Sequence, residues 1–125
     1  MTQALLVASG GAVGSVLRYY IGVWALRLLG PVFPWGTLTV NVVGCFIIGL
    51  LAELITRKFG ASTELRLLLI TGVLGGFTTF SAFSLDAISL FEGGRPGLSA
   101  IYIAASVCVS LAAVAAGLAV IRALF

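Results

Sequence analysis

Four long stretches of the chain carry no charged side chain, and short segments rich in charge, glycine and proline separate them. The uncharged stretches are residues 1–17, 37–52, 67–85 and 97–121. A helix that crosses the hydrocarbon core of a bilayer needs roughly 20 mostly apolar residues. The pattern therefore predicts four membrane-spanning helices, at about residues 4–26, 37–55, 65–91 and 97–122.

The composition supports a membrane protein. Hydrophobic residues make up 61% of the chain and charged residues 9%, and the mean hydropathy is +1.23. An ordinary soluble domain carries about 25% charged residues. No Lys or Arg precedes the first apolar stretch, so we interpret that stretch as a span and not as a secretory signal peptide. We expect one four-span, multi-pass membrane domain over residues 1–125, without an internal repeat.

The charged and metal-binding residues exclude several functions. The net charge of +3 comes from seven Lys and Arg against four Asp and Glu, and it forms no patch for nucleic acid. The chain has no His, which excludes a Ser-His-Asp triad and zinc chemistry. Cys45 and Cys108 lie in apolar segments, where we interpret them as packing residues and not as a disulfide. We do not expect an enzyme.

The distribution of Lys and Arg gives little preference for one orientation in the membrane. With four spans, both termini and the second loop share one side. That side carries Arg57, Lys58, Arg66 and Arg122, and the other has Arg18, Arg27 and Arg95. Because this asymmetry sets the orientation of membrane proteins, the near balance favours dual topology, although a small protein also reaches such a balance by chance.

Small residues recur at four-residue spacing in the first and third predicted spans. The pairs are Gly10 with Gly14, Gly11 with Ser15, and Gly72 with Gly76. Such pairs let helices approach closely. The sequence leaves two interpretations open, packing within one protomer and a seam between two subunits. Four packed helices enclose no lumen, so a transport path implies a dimer or a larger assembly.

The third predicted span contains glycines and hydroxyl side chains where a lipid-facing helix would carry leucine. Residues 71–84 read TGVLGGFTTFSAFS. Adjacent glycines weaken a helix, and backbone freed at membrane depth is tolerated only inside protein or beside a water-filled cavity. We expect a break between Gly75 and Thr79, whose free carbonyls would suit a small cation. The alternative is an unbroken helix in which the glycines only permit close packing.

Two phenylalanines and three hydroxyl side chains lie at spacings that place them on single helix faces. Phe80 and Phe83 are three residues apart and share a face. The positive edges of their rings suit a small anion. Tyr102, Ser106 and Ser110 follow at four-residue intervals and form one stripe along the fourth span.

Asn41 and Arg18 add polar groups to the first two spans. Asn41 offers an amide with two donor hydrogens. Each neutral polar group alone is more often a bond between helices than a pore lining, but together they favour a path for a strongly hydrogen-bonding anion. An unpaired Arg18 at the bilayer centre would cost at least about 3 kcal/mol, so it should snorkel or line a wet vestibule that attracts anions.

Three segments resemble the signatures of one family. Residues 75–84, GGFTTFSAFS, resemble the GGxTTFSTFS motif of the Fluc (CrcB) fluoride channels, and residues 35–44, WGTLTVNVVG, resemble their PxGTLxVNxxG segment. Residues 14–19, GSVLRY, are similar to the family's GxxLRW segment. The chain departs from the family pattern at Tyr19, where Trp is common, at Ala82, where Thr is usual, and at Asp86, where Glu is frequent.

The resemblance implies an all-α membrane protein of a bacterial cytoplasmic (inner) membrane that exports cytoplasmic fluoride passively. It implies an antiparallel homodimer with two fluoride pores and a structural sodium ion at its centre, held by the backbone carbonyls of Gly75 and Thr78. The pore residues that it implies are Asn41, Phe80, Phe83, Tyr102, Ser106 and Ser110, with Arg18 in the vestibule.

Two other functions are compatible with a small four-span protein. A proton-coupled multidrug-type exporter would need an acidic residue deep in a span, and the deep positions here are neutral. A structural membrane-assembly subunit would not need a run of Thr, Ser and Phe beside a glycine break. The residues therefore favour the channel.

Overall fold

A computed structural model describes residues 1–125 as four long apolar spans joined by short turns. The spans are Thr2–Leu29, Trp35–Lys58, Thr63–Glu92 and Pro96–Leu124, and each is long and apolar enough to cross a membrane. The prediction of an all-α, four-span membrane protein is confirmed. Every span extends one to three residues beyond the predicted bounds at each end.

The turns follow from residues that end or begin helices. Gly30 ends the first span with φ of 81°, and Gly94 adopts the same φ in the last turn; L-residues with a side chain rarely occupy this region. The Ser62 hydroxyl accepts the Leu65 N–H at 3.3 Å and caps the third span, as N-cap serines do. Pro96 opens the fourth span at its first turn, where its missing N–H costs nothing.

The first span packs against the first half of the third through glycines. A Cβ at Gly14 would lie 2.9 Å from the backbone nitrogen of Phe77, and one at Gly10 would lie 2.9 Å from the Cα of Gly72. Gly76 likewise faces the first span. At these four glycines, the structure supports packing within the protomer over a seam between subunits.

The second span packs mainly against the fourth, again through glycines. A Cβ at Gly49 would lie 3.1 Å from the Cα of Gly117. This pair was not predicted, because the two glycines lie in different spans and periodicity within one span does not show which residues of two spans meet. The protomer is thus two close-packed helix pairs, and the second half of the third span lies against the fourth.

Few residues are buried inside one protomer. Only 16 of 125 residues are buried, and large apolar side chains cover much of the outer surface. A surface of this kind faces lipid or another subunit. Two small clusters form the core: Val40, Leu74 and Phe77 in one, and Phe83, Ala87 and Tyr102 in the other.

The third span is interrupted at Thr78 and Thr79. Its first half begins as an α-helix, continues through Arg66–Leu74 as a π-helix and returns to α-helix in Gly75–Phe77. Thr78 and Thr79 are extended, with ψ of 161° and 126°, and the helix resumes at Phe80–Glu92. The break thus lies within the predicted range. The glycines themselves stay helical, since Gly75 has φ of −61° and ψ of −37°.

Candidate functional site

One side chain of the second span clamps the break in the third. The Asn41 amide nitrogen donates to the Thr79 carbonyl at 2.9 Å, and the Thr79 N–H donates to the Asn41 carbonyl oxygen at 2.8 Å. Both main-chain groups of Thr79 are therefore satisfied without a helix. An extended residue at membrane depth needs partners of this kind.

The clamp and a local cap draw two N–H groups away from their regular helical partners. In an unbroken helix, the N–H groups of Thr79 and Ala82 would bond the carbonyls of Gly75 and Thr78. Here the Thr79 N–H bonds Asn41, and the Ala82 N–H bonds the Thr79 hydroxyl at 3.1 Å. The Gly75 and Thr78 carbonyls have thus lost the regular donors that an unbroken helix would give them.

A cavity of about 340 Å³ lies between the second, third and fourth spans beside the break. It is lined by Asn41, Cys45, Thr78, Thr79, Phe80, Phe83, Ser106, Val107, Ser110 and Leu111. Polar atoms from three spans therefore meet at one place in the apolar bundle, as they do in ligand sites between helices.

Two hydroxyls in this cavity have no protein partner. The oxygens of Ser106 and Ser110 are buried and bond no other atom of the chain. Asn41 uses one of its two amide hydrogens on Thr79. A buried polar group without a partner costs about 1–3 kcal/mol, so such a cavity favours a ligand or water that accepts hydrogen bonds.

Aromatic rings form one wall of the cavity and continue beyond it. The rings of Phe80 and Phe83 have centroids 5.5 Å apart, and those of Phe83 and Tyr102 are 5.3 Å apart. Phe83 is buried, whereas Phe80 is 78% exposed in the protomer. Tyr102 is fully buried, does not line the cavity, and donates its hydroxyl to Asp86 Oδ2 at 3.2 Å.

Arg18 reaches the break from the first span. Its Nε donates to the Gly76 carbonyl at 3.0 Å. It lines a second cavity, of about 320 Å³, together with Thr37 and Thr79. The guanidinium is therefore directed into the protein, and Thr79 lies on the wall of both cavities.

Most of the residues expected at the site meet in the structure. Asn41, Phe80, Phe83, Ser106 and Ser110 line one cavity, and Thr78 borders it. Tyr102 touches this group through the Phe83 ring, and Arg18 lies one cavity away.

Cys45, predicted to be a packing residue, also lines the cavity at the break. Cys45 follows Asn41 by one helical turn, and this spacing places both on one face. No group of three or more His, Cys, Asp or Glu side chains in the chain could hold a metal ion.

The fold and the cavity together define a small multi-pass membrane protein with a donor-lined polar cavity at a broken helix. Comparison with known proteins identifies the family. Residues 5–118 match the family described as CrcB-like protein, Camphor Resistance (CrcB). The chain therefore belongs to the CrcB family, and the resemblance inferred from its motifs is confirmed.

Individual relatives are similar over their whole length. The chain is 77% identical to the fluoride-specific ion channel FluC of Rhizobium etli over 124 aligned residues, and the alignment covers 99% of each chain. It is 67% identical over 125 residues to the protein of that name from Agrobacterium fabrum, covering 100% of both. The corresponding protein of Caulobacter vibrioides is 51% identical over 126 residues, covering 100% of this chain and 99% of its own.

Proposed function

We propose that this chain is a fluoride-selective channel of the bacterial cytoplasmic membrane. Fluoride would leave the cytoplasm passively, driven by the membrane potential. The main support is that the hydroxyls of Ser106 and Ser110 are buried without a hydrogen-bond partner in the chain. Both serines line one cavity together with Asn41, Phe80 and Phe83. The name of the relatives, fluoride-specific ion channel, supports the same substrate.

Neutral donors suit fluoride because the ion is small and strongly hydrated. A pore must replace its water shell with donors, yet let the ion leave again. The hydroxyls of Ser106 and Ser110 and the free hydrogen of the Asn41 amide can donate to one ion in turn. The positive ring edges of Phe80 and Phe83 add attraction without a full charge. Larger halides would fit the spacing of these donor groups less well.

We propose that the working unit is an antiparallel homodimer with two pores. Phe80 is 78% exposed and Leu111 66% exposed, and both line the cavity. In a lone protomer this wall would face lipid, where polar groups find no partners, whereas a second copy would close it. The near balance of Lys and Arg between the two sides supports opposite orientations of the two copies.

We propose further that a sodium ion lies at the dimer centre. The carbonyls of Gly75 and Thr78 fit this role, since their regular donors are diverted to Asn41 and to the Thr79 hydroxyl. Unwound backbone carbonyls are ligands for sodium in broken transporter helices. Two carbonyls from each protomer would give four oxygen ligands. The ion would tie the two breaks together.

Arg18 would act in the vestibule beside the break. Its guanidinium is bound to the Gly76 carbonyl, so its charge is fixed near the second cavity and would attract anions without lining the cavity at the break.

Fluoride efflux from liposomes tests the function. Purified protein is reconstituted, potassium and valinomycin supply the driving force, and fluoride and chloride release are measured in parallel. We expect fast fluoride release without chloride release. Ser110→Ala should slow fluoride at least about tenfold, because a hydrogen bond to a charged group contributes about 1.5–3 kcal/mol. Ser9→Ala is the matched control, since the Ser9 hydroxyl bonds only Leu5 of its own exposed helix face.

Two results would contradict the proposal. Equal release of chloride would contradict the proposed selectivity. Absence of fluoride release from folded protein would contradict the proposed channel function. The second result would favour the proton-coupled exporter, with Asp86 and Glu53 as the acidic residues to test.

A further inference from the structure

The two cysteines of the chain lie in different environments. Cys45 lines the cavity at the break, together with Asn41, Thr78 and Ser110. Cys108 is exposed on the fourth span and does not line that cavity. Both are free thiols. The chain therefore carries one thiol in the proposed ion path and one outside it.

The cavity around Cys45 has the features of a site for a small polar solute. Ser106 lines the same cavity and is only 6% exposed. Its hydroxyl has no hydrogen-bond partner in the chain. The cavity volume of about 340 Å³ exceeds that of several water molecules. A solute that enters this cavity meets both Ser106 and Cys45 among the residues that line it.

We propose that Cys45 is a binding site for thiol-seeking metal cations such as Hg²⁺, and that metal bound there blocks the ion path. The inference rests on the proposed function, since it places Cys45 on the fluoride pathway. Soft thiolate sulfur selects soft metals, whereas hydroxyl and carbonyl oxygens suit hard ions. Cys45 is the only soft ligand among the residues that line the cavity.

The binding step requires no oxidant or reductant. The S–H bond of Cys45 breaks, a bond from the sulfur to Hg²⁺ forms, and the proton leaves to water. Sulfur and mercury keep their oxidation states. One remaining positive charge is balanced by a chloride or hydroxide ligand on the metal, so one thiol suffices.

Block follows from the size of the bound metal and its second ligand. The metal and its second ligand would occupy the space between Cys45 and the hydroxyls of Ser106 and Ser110, which the proposed path needs.

The test is fluoride efflux from liposomes before and after addition of HgCl₂, with each variant compared with its own untreated rate. We expect HgCl₂ to slow fluoride efflux at least about tenfold in the unchanged protein and in Cys108→Ser, because the metal occupies the proposed path. Cys45→Ser and Cys45→Ala should keep most of their own rate. Dithiothreitol should restore fluoride efflux through the unchanged protein, because it removes the metal from the thiol.

Mass spectrometry with methyl methanethiosulfonate gives a second readout that does not depend on conduction. Fluoride at millimolar concentration should slow labelling of Cys45 and leave labelling of Cys108 unchanged. Equal Hg²⁺ sensitivity of Cys45→Ser, or full conduction with Cys45 completely labelled, would overturn this inference. Absence of efflux from untreated protein would instead show that the proposed function itself is wrong.

Discussion

Replacing Asn41 with Leu tests whether one side chain holds the third span open. Leu has the same branched shape and the same number of side-chain heavy atoms, so it replaces the amide with only a modest increase in volume. It removes the bonds of 2.9 Å and 2.8 Å that join the Asn41 amide to the carbonyl and N–H of Thr79. Both backbone groups of Thr79 then lie unpaired at membrane depth.

The expected cost follows from the number of bonds lost. Hydrogen bonds between membrane helices contribute about 0.6 kcal/mol on average and at most about 1.7 kcal/mol. Two bonds therefore predict a loss of about 1–3 kcal/mol in the free energy of unfolding. Because Thr79 lies on the walls of both cavities, fluoride efflux should fall together with stability.

The assay is reversible unfolding in mixed micelles of increasing dodecyl sulfate content, followed by circular dichroism. Ser9→Ala is the control, because its hydroxyl bonds only a carbonyl of its own helix; it should change the free energy by no more than about 0.5 kcal/mol. If Asn41→Leu also stays within that limit, Asn41 does not clamp the break and the argument for diverted carbonyls fails.

Two further substitutions test the ring wall and the glycine packing. Phe80→Ile should reduce fluoride efflux at least about tenfold, because it removes a ring edge from the path, while chemical cross-linking still detects the assembly; normal efflux would refute the ring-edge argument. Gly14→Ala should lower the free energy of unfolding by about 1–3 kcal/mol through overpacking, since its methyl meets the backbone of the third span. Gly22→Ala is the matched control, as nothing lies within 4 Å of its new methyl, and an equal loss at both positions would contradict the packing argument.

The spans were predictable because membrane insertion depends on local hydrophobicity. Uncharged stretches located all four, and errors were confined to the ends, where the helices run on into aromatic and basic residues such as Trp35 and Lys58. The serine stripe of the fourth span was also predictable, since helical periodicity alone places Ser106 and Ser110 on one face.

The mechanism of the break was not predictable from local propensity. The glycines suggested where the helix would weaken, yet Gly75 remains helical and the two extended residues are threonines. A contact from another span, the Asn41 clamp, decides this conformation. The π-helix of Arg66–Leu74 has no signal in composition or periodicity that would separate it from an α-helix.

The position of Arg18 shows how a cationic side chain could lie near the proposed anion path without closing it. A unit charge 4 Å from fluoride, at an effective dielectric constant of about 20, would contribute about 4 kcal/mol of attraction. That energy corresponds to roughly a thousandfold slower escape, since each 1.4 kcal/mol is a factor of ten. Arg18 is instead held by the Gly76 carbonyl and lines the neighbouring cavity. The cavity at the break is lined only by uncharged residues, so in the proposed path an ion would be drawn towards the break by charge and would pass it through weaker, exchangeable hydrogen bonds.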